Sequence, residues 1–270
     1  GVGGANYGSD GQVLTSTGAG TAPAWETVAG GLTGKVEGTN FTDSLLVGHT
    51  TTGTLDDAIQ NTIVGIDAGD ATTTADNNTF VGYTAGTLDT TGHSNTFIGS
   101  LCGITNSTTS YNTGVGVGAL KFNVGHNNTA VGRQASVRNG SGTFNTSIGF
   151  EALEGVSSNN HSYNTALGAR SNELVTTGGY NVTVGYTAGD NLTTGSGNIL
   201  LGTGDFAAAD SARTFKVVSY DGSSTTNHII SDSSGNMTLA ADLTIGDDLL
   251  LDSDSCVLKF GDDQDVTLTH

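Results

Sequence analysis

One nine-residue phrase recurs along this chain and constrains its fold more than any other feature. NTFVGYTAG at residues 78–86 returns as NTFIGSLCG at 95–103 and as NVTVGYTAG at 181–189. Self-similarity with a fixed period predicts a repeat architecture. The Asn that opens each copy recurs in steps of 17, 17, 17, 16, 17, 19, 17 and 17 residues, at Asn61, Asn78, Asn95, Asn112, Asn128, Asn145, Asn164, Asn181 and Asn198. We call these residues the asparagine column.

Each copy follows the pattern Asn-Thr-x-aliphatic-Gly-x-x-small, and Ser44 opens a degenerate first copy, so that there are ten copies. The fourth position, the aliphatic column, contains Val64, Val81, Ile98, Val115, Val131, Ile148, Leu167, Val184 and Leu201. The fifth position, the glycine column, contains Gly65, Gly82, Gly99, Gly116, Gly132, Gly149, Gly168, Gly185 and Gly202. The eighth position, the alanine column, contains Ala68, Ala85, Cys102, Ala119, Ala135, Ala152, Ser171 and Ala188.

The pattern predicts strands and not helices. Apolar and polar residues alternate over short runs with the period of two that is typical of strands, and the abundant Gly and Thr disfavour a helix. Strands that recur every 17 residues without hairpin turns must be parallel and stacked, one copy per coil. We therefore predict an all-β fold, a β-solenoid in the form of a two-faced parallel β-roll, with small β modules on either side.

Each column has a physical role in this prediction. The β-branched aliphatic column is expected to fill the interior, and the alanine column to mark where the two faces approach. The glycine column supplies a positive φ or a close approach of two backbones. The asparagine column predicts an amide ladder between coils, with a simple turn residue as the alternative. The core is thin, and Phe80, Phe97, Tyr83, Phe150 and Tyr186 are expected to face outward, which favours a homotrimer.

The segments on either side of the repeats differ in composition. Residues 1–40 contain two strand candidates, QVLTS and AWETV, and are predicted to form an N-terminal β collar or connector. Residues 41–206 are assigned to the solenoid. Residues 207–270 are predicted to form a β-rich acidic shaft of short strands separated by turns such as DG and SSGN. The chain begins GVGGANYG and ends DVTLTH, which indicates a piece of something longer.

The charge balance excludes several classes of partner. The net charge of −18 repels nucleic acid and anionic membrane surfaces, and no stretch approaches the length of a membrane span. Cys102 and Cys256 are expected to be small buried side chains and not a disulfide framework. The acidic pairs at 56–57, 247–248 and 262–263 do not form a glycosidase dyad by themselves, because adjacent strand residues point to opposite faces, and they are interpreted as solvated turns. The acidic turns at 252 and 261 are also interpreted as solvated, with Ca²⁺ binding through oxygen ligands as the alternative. No catalytic, cofactor-binding or metal-binding residue is predicted, and the chain is not expected to be an enzyme.

The copies NTFVGYTAG, NTAVGRQAS (128–136) and NTSIGFEAL (145–153) resemble the repeats of bacteriophage tail-fibre and related virion proteins. They are also similar to the head repeats of trimeric autotransporter adhesins, although those repeats are shorter. GSDGQVLTSTGAGTAPAW resembles a segment near the start of phage fibre modules, and SSGNMTLAADLTIGDDLLLDSDS resembles fibre shafts of marine phages. The resemblance covers nearly the whole chain.

This resemblance implies a structural, fibre-forming virion protein, a phage tail fibre or appendage, that takes part in host-surface attachment. The implied partners are further copies of the chain in a homotrimer, other virion proteins, and a host cell-surface receptor such as a glycan. The location would be the virion. The alternative is a trimeric surface adhesin or extracellular filament on the bacterial cell surface. A tailspike that cleaves glycans is a third alternative, and the sequence favours it least.

Overall fold

A computed structural model describes residues 40–48, 53–156 and 160–239, together with the backbone of three strands nearer the N-terminus. The described part is all-β and contains no helix. The three N-terminal strands are β1 Gln12–Thr15, β2 Ala24–Thr27 and β3 Gly34–Gly38. β1 and β2 lie where QVLTS and AWETV predict strands, and they pair antiparallel as a separate two-stranded sheet.

The remaining strands form one sheet whose parallel part is a solenoid. Thr96 is level with Thr79 of the preceding coil and with Thr113 of the following coil, so that each coil advances the chain by one copy. The predicted parallel β-solenoid, with about ten turns of roughly 17 residues, is therefore confirmed. Its strands are β4 Phe41–Val47, β5 Ala58–Ile59, β6 Thr62–Val64, β7 Thr79–Val81, β8 Thr96–Ile98, β9 Thr113–Val115, β10 Thr129–Val131, β11 Thr146–Ile148, β12 Thr165–Leu167, β13 Val182–Val184 and β14 Ile199–Leu201.

The parallel ladder includes the degenerate first copy and extends beyond the last copy by one strand. Ser44 takes the place of the first Asn, and its Oγ accepts the backbone N–H of Asn61 at 2.8 Å. At the other end β15 Phe215–Tyr220 pairs in parallel with β14 and forms one more rung beyond residue 206. The sheet then turns antiparallel through β16 Thr225–Ser231 and β17 Met237–Leu239. Cys256 and the acidic residues of 240–270 lie outside the described residues.

Only one side of each coil is a regular strand. The three extended residues end at the glycine column, and the chain then enters a run of turns. Positive φ angles of 53° at Thr84 and 61° at Leu101 break the extended conformation two residues later. The turns still bond from coil to coil, as in the 3.0 Å bond from the N–H of Gly69 to the carbonyl of Ala85. The second face of the roll is thus a stack of turns.

The predicted core role of the aliphatic column is wrong. The asparagine column is buried, and side chains alternate across a strand, so the third position of each copy must also face inward and the fourth must face outward. The buried third position contains Ile63, Phe80, Phe97, Gly114, Ala130, Ser147, Ala166, Thr183 and Leu200. The outward fourth position, half-buried or exposed, contains Val64, Val81, Ile98, Val115, Val131, Ile148, Leu167, Val184 and Leu201.

The same shift of one residue reverses the expectation for two aromatic side chains. Phe80 and Phe97 were expected outside, but both are fully buried and stack on each other with ring centroids 5.4 Å apart. Tyr83 and Tyr186 are exposed, as predicted, and Phe150 is half-buried. The whole alanine column is fully buried, including Cys102. A Cβ at Gly114 would lie 2.6 Å from Cys102 Sγ, so small side chains mark the closest approach across the core, as predicted.

Candidate interaction surfaces

The asparagine column joins every coil to the next. The Oδ1 of Asn61 accepts the backbone N–H of Asn78 at 3.0 Å, and the same bond recurs up to Asn198 at 2.8–3.1 Å. Each Nδ2 donates to a backbone carbonyl near the end of its own copy, as from Asn164 to Gly178 at 2.9 Å. Buried side-chain amides require hydrogen-bond partners, and here both the Oδ1 and the Nδ2 of the Asn have one. The asparagine column is structural and does not present a site to a ligand.

Direct amide-to-amide bonds, the predicted ladder, form only in the later copies. The Nδ2 of Asn145 donates to Asn128 Oδ1 at 3.0 Å, and the bonds from Asn181 and Asn198 to the preceding Asn are 3.1 and 3.0 Å long. Further bonds at 3.4 Å link Asn128 and Asn164 to the preceding residue of the column. The ladder therefore combines side-chain-to-backbone bonds in all copies with side-chain-to-side-chain bonds in the second half.

The glycine column allows consecutive coils to approach each other. Gly99 has a φ of +134°, and a Cβ at this residue would lie 2.5 Å from the carbonyl oxygen of Gly116 in the next coil. Both of the predicted reasons for Gly, the positive φ and the close backbone, hold at once. A side chain at this position would separate the coils.

The outward face of the parallel sheet is an apolar stripe. It consists of the aliphatic column, flanked on one side by the second position of each copy, which is Thr except at Val182 and Ile199, and on the other by exposed residues such as Ile66, Tyr83 and Tyr186. Ile98 and Ile148 remain 39% and 44% exposed although they lie in the middle of the sheet. Nine rungs at about 4.8 Å give a stripe about 40 Å long. Contiguous apolar surface of this extent is typical of protein–protein interfaces.

A second exposed column lies immediately before the asparagine column. We call Tyr111, Phe144, Tyr163 and Tyr180 the aromatic column. The rings of Phe144 and Tyr163 are stacked with centroids 5.3 Å apart, and those of Tyr163 and Tyr180 with centroids 4.7 Å apart. Tyr111 contacts His93 edge to face at 4.9 Å. The stacks follow from the coil spacing, because equivalent residues of successive coils lie one strand spacing apart.

Among the described residues of the solenoid, one carboxyl group is fully buried. Asp89 is fully buried and accepts hydrogen bonds from the N–H of Gly92 at 2.7 Å and from Nδ2 of Asn106 at 2.9 Å and of Asn95 at 3.2 Å. Burial raises the pKa of Asp89 to about 7, and these hydrogen bonds offset only part of the effect. The equivalent position contains the buried Thr72 in the preceding copy and Asn106, Asn123 and Asn139 in later copies, so Asp89 belongs to a second internal polar column.

An acidic cluster on the turn side was missed by the sequence reasoning. Carboxylate oxygens of Glu151, Glu154 and Glu173 lie within 4.8 Å of one another. Arg170 bonds to Glu151 at 3.1 Å and approaches Glu173 to 3.8 Å, and Arg138 pairs with Glu154. Because the arginines neutralise the cluster, it behaves as a network of surface ion pairs. The signal in the sequence was acidic residues recurring at equivalent positions of neighbouring copies, as at Glu154 and Glu173.

The other titratable groups of the described residues do not assemble into a catalytic constellation. Asp190 and Asp205 form a hydrogen-bonded carboxyl pair. The pKa of Asp190 is raised to about 6, mainly by its burial and secondly by the neighbouring Asp205. Burial raises the pKa of Cys102 to about 12, which keeps its thiol protonated. Burial lowers the pKa of His161 to about 4. Asp56 and Asp57, the acidic pair of the described part, are both exposed.

A groove of about 560 Å³ lies between the last coil and the β15–β16 hairpin. Its lining includes Phe206, Lys216, Ile230 and Asp232. Burial lowers the pKa of Lys216, and hydrogen bonds from Asn236 lower the pKa of Asp232. The groove therefore has one cation and one anion on apolar walls.

Comparison with known proteins returns no relative: no protein-family model, no curated protein and no solved structure matches this chain. In the part of the chain that the structure describes, there is no helix that meets the length and hydropathy needed to span a membrane.

Proposed function

We propose that the chain is a structural, fibre-forming subunit of a virion, a phage tail fibre or appendage, which assembles as a parallel homotrimer and takes part in attachment to a host surface. The observation that carries the proposal is the outward aliphatic column. It runs without a polar interruption through nine consecutive copies, from Val64 to Leu201. A single chain leaves this stripe in water, whereas parallel copies around a common axis bury it along its whole length.

The geometry favours association along the fibre axis. Every copy from Val64 to Leu201 presents an aliphatic residue at the equivalent position, so in two or three parallel chains each strand faces the same strand of the neighbouring chain. Burial of apolar surface contributes about 25 cal/mol per Å², and the contribution accumulates with each rung. The long stack of coil-to-coil hydrogen bonds supplies the stiff rod that an appendage needs, and the abundant acidic side chains keep it soluble.

Sedimentation of matched variants tests the assembly. The wild-type protein is expected to sediment at three times the chain mass of 27.1 kDa. Ile148→Lys places a charge in the middle of the stripe and should yield folded monomers, because the residue is outside the core of its own chain. Thr108→Lys introduces the same charge at an exposed turn and should leave the trimer intact. A wild-type protein that is folded and monomeric at micromolar concentration would remove the basis of the proposal.

The same stripe supports the alternative of a bacterial trimeric adhesin or extracellular filament, because either kind of fibre needs parallel copies. The complete gene distinguishes them: an adhesin gene continues into a membrane-anchoring domain, whereas a fibre gene lies among genes for virion proteins. A glycan-cleaving tailspike has the least support. Asp190 and Asp205 are in direct contact, without the space for water or sugar that glycoside hydrolysis requires. The carboxylates of Glu151, Glu154 and Glu173 are already paired with arginines. Release of reducing ends from a surface glycan would favour it.

A further inference from the structure

The aromatic column is confined to part of the solenoid. The position before each Asn contains Gln60, Asn77 and Ser94 in the early copies and Tyr111 and Asn127 in the middle ones. Three aromatic residues then follow in successive copies, at Phe144, Tyr163 and Tyr180. An interface that runs along the whole fibre requires an apolar residue on each rung, as the aliphatic column has. A local group of exposed rings instead indicates contact with something that binds at one height on the fibre.

The backbone at this position disfavours the residues that occupy it. Phe144, Tyr163 and Tyr180 have φ angles of +58°, +62° and +60°. The conformation belongs to the coil itself, because the same position has a positive φ in the other copies too, at Gln60, Asn77, Ser94, Tyr111, Asn127, Gly197 and Arg213. Gly and Asn adopt this left-handed region readily, whereas bulky L-residues are rarely found there. An aromatic residue is not needed to form this turn, and the three rings remain largely exposed. The coil therefore does not explain the rings, and their faces are available to a ligand.

The ring at the end of the stack has one open face. Tyr180 is 65% exposed, and the equivalent residue of the next coil is Gly197, which has no side chain to cover it. The coil after that presents Arg213, so the two side chains originate about 10 Å apart. The Cγ of Arg213 lies 3.5 Å from where a Cβ on Gly197 would be, so the Arg213 stem leans towards Gly197 at the base of this space. A sugar ring would stack on the outer part of the Tyr180 ring, in van der Waals contact at about 3.5–4 Å. Within residues 160–239, Arg213 is exposed and makes no ion pair.

We propose that this gap, bounded by Tyr180, Gly197 and Arg213, binds a pyranose ring of a neutral surface glycan, an inference that rests on the proposed role in attachment. The apolar C–H face of the sugar stacks on Tyr180, and its hydroxyl groups accept hydrogen bonds from Arg213. Tyr163 and Phe144 hold Tyr180 in place from below. A polyanionic glycan is disfavoured because the chain carries a net charge of −18.

Saturation-transfer NMR tests the site with four neutral probes: oligosaccharides of glucose, galactose, mannose and N-acetylglucosamine. At least one is expected to bind the wild-type protein with a millimolar Kd. Tyr180→Asn introduces the residue that an early copy has at the equivalent position, Asn77. It should weaken that binding at least tenfold while the Tm stays equal or rises. The control Phe122→Thr removes an exposed ring on the turn side, takes the residue of Thr105, and should leave the Kd within twofold.

The inference is overturned if none of the four oligosaccharides binds, or if Tyr180→Asn and Phe122→Thr weaken binding equally. It is also overturned if Tyr180→Asn dissociates the trimer, because the aromatic column would then be an interface between copies. Sedimentation of the same samples separates the two proposals. A monomeric wild-type protein that still binds sugar through Tyr180 contradicts the trimer and leaves the sugar site intact.

Discussion

Phe97 and Gly103 compete for one volume of the core: a Cβ on Gly103 would lie 2.6 Å from the ring of Phe97. The next copy reverses the pair, with Gly114 on the strand and Leu120 on the turn side, both buried. Gly86 stands in the same relation to Phe80, at 2.9 Å. The third and ninth positions of a copy therefore exchange volume, so that coils of nearly constant width can be built from different side chains.

Exchange of the pair should be tolerated better than either change alone. Phe97→Gly opens a cavity and should lower the free energy of unfolding by roughly 3–5 kcal/mol. Gly103→Leu has no space beside Phe97 and should be at least as harmful. The double variant reproduces the arrangement of Gly114 and Leu120, and should be more stable than either single variant. Chemical denaturation of all four proteins measures the coupling, and additive losses would contradict a shared volume.

Loss of one ladder residue should weaken the stack locally. Asn164→Ala leaves the N–H of Asn181 and the carbonyl of Gly178 buried without their partners. The free energy of unfolding is expected to fall by roughly 2–4 kcal/mol. The control Asn77→Gly alters an exposed Asn with a φ of +59°, which Gly adopts readily, and should change stability by less than about 0.5 kcal/mol. Similar losses for the two variants would show that the ladder contributes nothing specific.

The buried carboxyl of Asp89 should make stability depend on pH. Burial raises its pKa from 3.8 to about 7. Between these values the folded chain keeps a proton that the unfolded chain has released, so the free energy of unfolding falls as the pH rises from about 4 to 7. The ionised group then destabilises the fold by up to about 4 kcal/mol. Asp89→Asn removes this loss and matches Asn106, the residue at the same position of the next copy.

Denaturation of the Asp89→Asn variant and of the wild-type protein at several pH values measures this difference. The advantage of the variant should be small at pH 4 and should grow up to pH 7. His161, whose pKa is lowered to about 4, opposes the trend by favouring unfolding as the pH falls from its usual 6.5. Its contribution is common to both proteins and cancels in the difference. A difference that does not vary with pH would contradict the role of Asp89.

Deletion of one complete coil should preserve the fold. Without residues 95–111, the N–H of Asn112 reaches Asn78 Oδ1 in place of Asn95, and every column stays aligned. Stability should change little, because each coil contacts only its neighbours. Deletion of residues 95–103 alone places turn residues in the strand and should yield aggregates. Soluble yield and sedimentation compare the two proteins, and equal behaviour would mean that a copy is not the structural unit.

Salt should strengthen the proposed trimer. Each chain carries a net charge of −18, so three chains carry −54 (3 × 18), and like charges repel across the assembly. The Debye length falls from about 10 Å at 0.1 M to about 3 Å at 1 M salt, which screens this repulsion. The Tm is therefore expected to rise as NaCl is added to dilute buffer. A Tm that falls over this range would show that repulsion between the chains does not limit the stability of the trimer.

The sequence by itself determined the period, the parallel stacking and the buried alanine column. It also determined the need for Gly after each aliphatic residue. These features are strictly repeated, so each follows from chemistry that any coil must satisfy. The orientation of the strand could also have been derived: Asn78 and Val81 are three residues apart, and a strand cannot bury both. The buried amide ladder, once predicted, already placed Val81 outside.

The tertiary structure alone decided what fills the core. The third position varies from Phe97 to Gly114 and Ser147, and its composition does not mark it as interior. The residue at the third position can be explained only together with the residue that faces it across the coil at the ninth position, such as Gly103 or Leu120. Packing constrains the combined volume of the third and ninth positions and leaves each residue free to vary. A repeat pattern shows which residues recur at a single position, so it does not reveal this constraint on a pair. The outward Val, Ile and Leu were mistaken for core because β-branched residues favour strands on either face of a sheet.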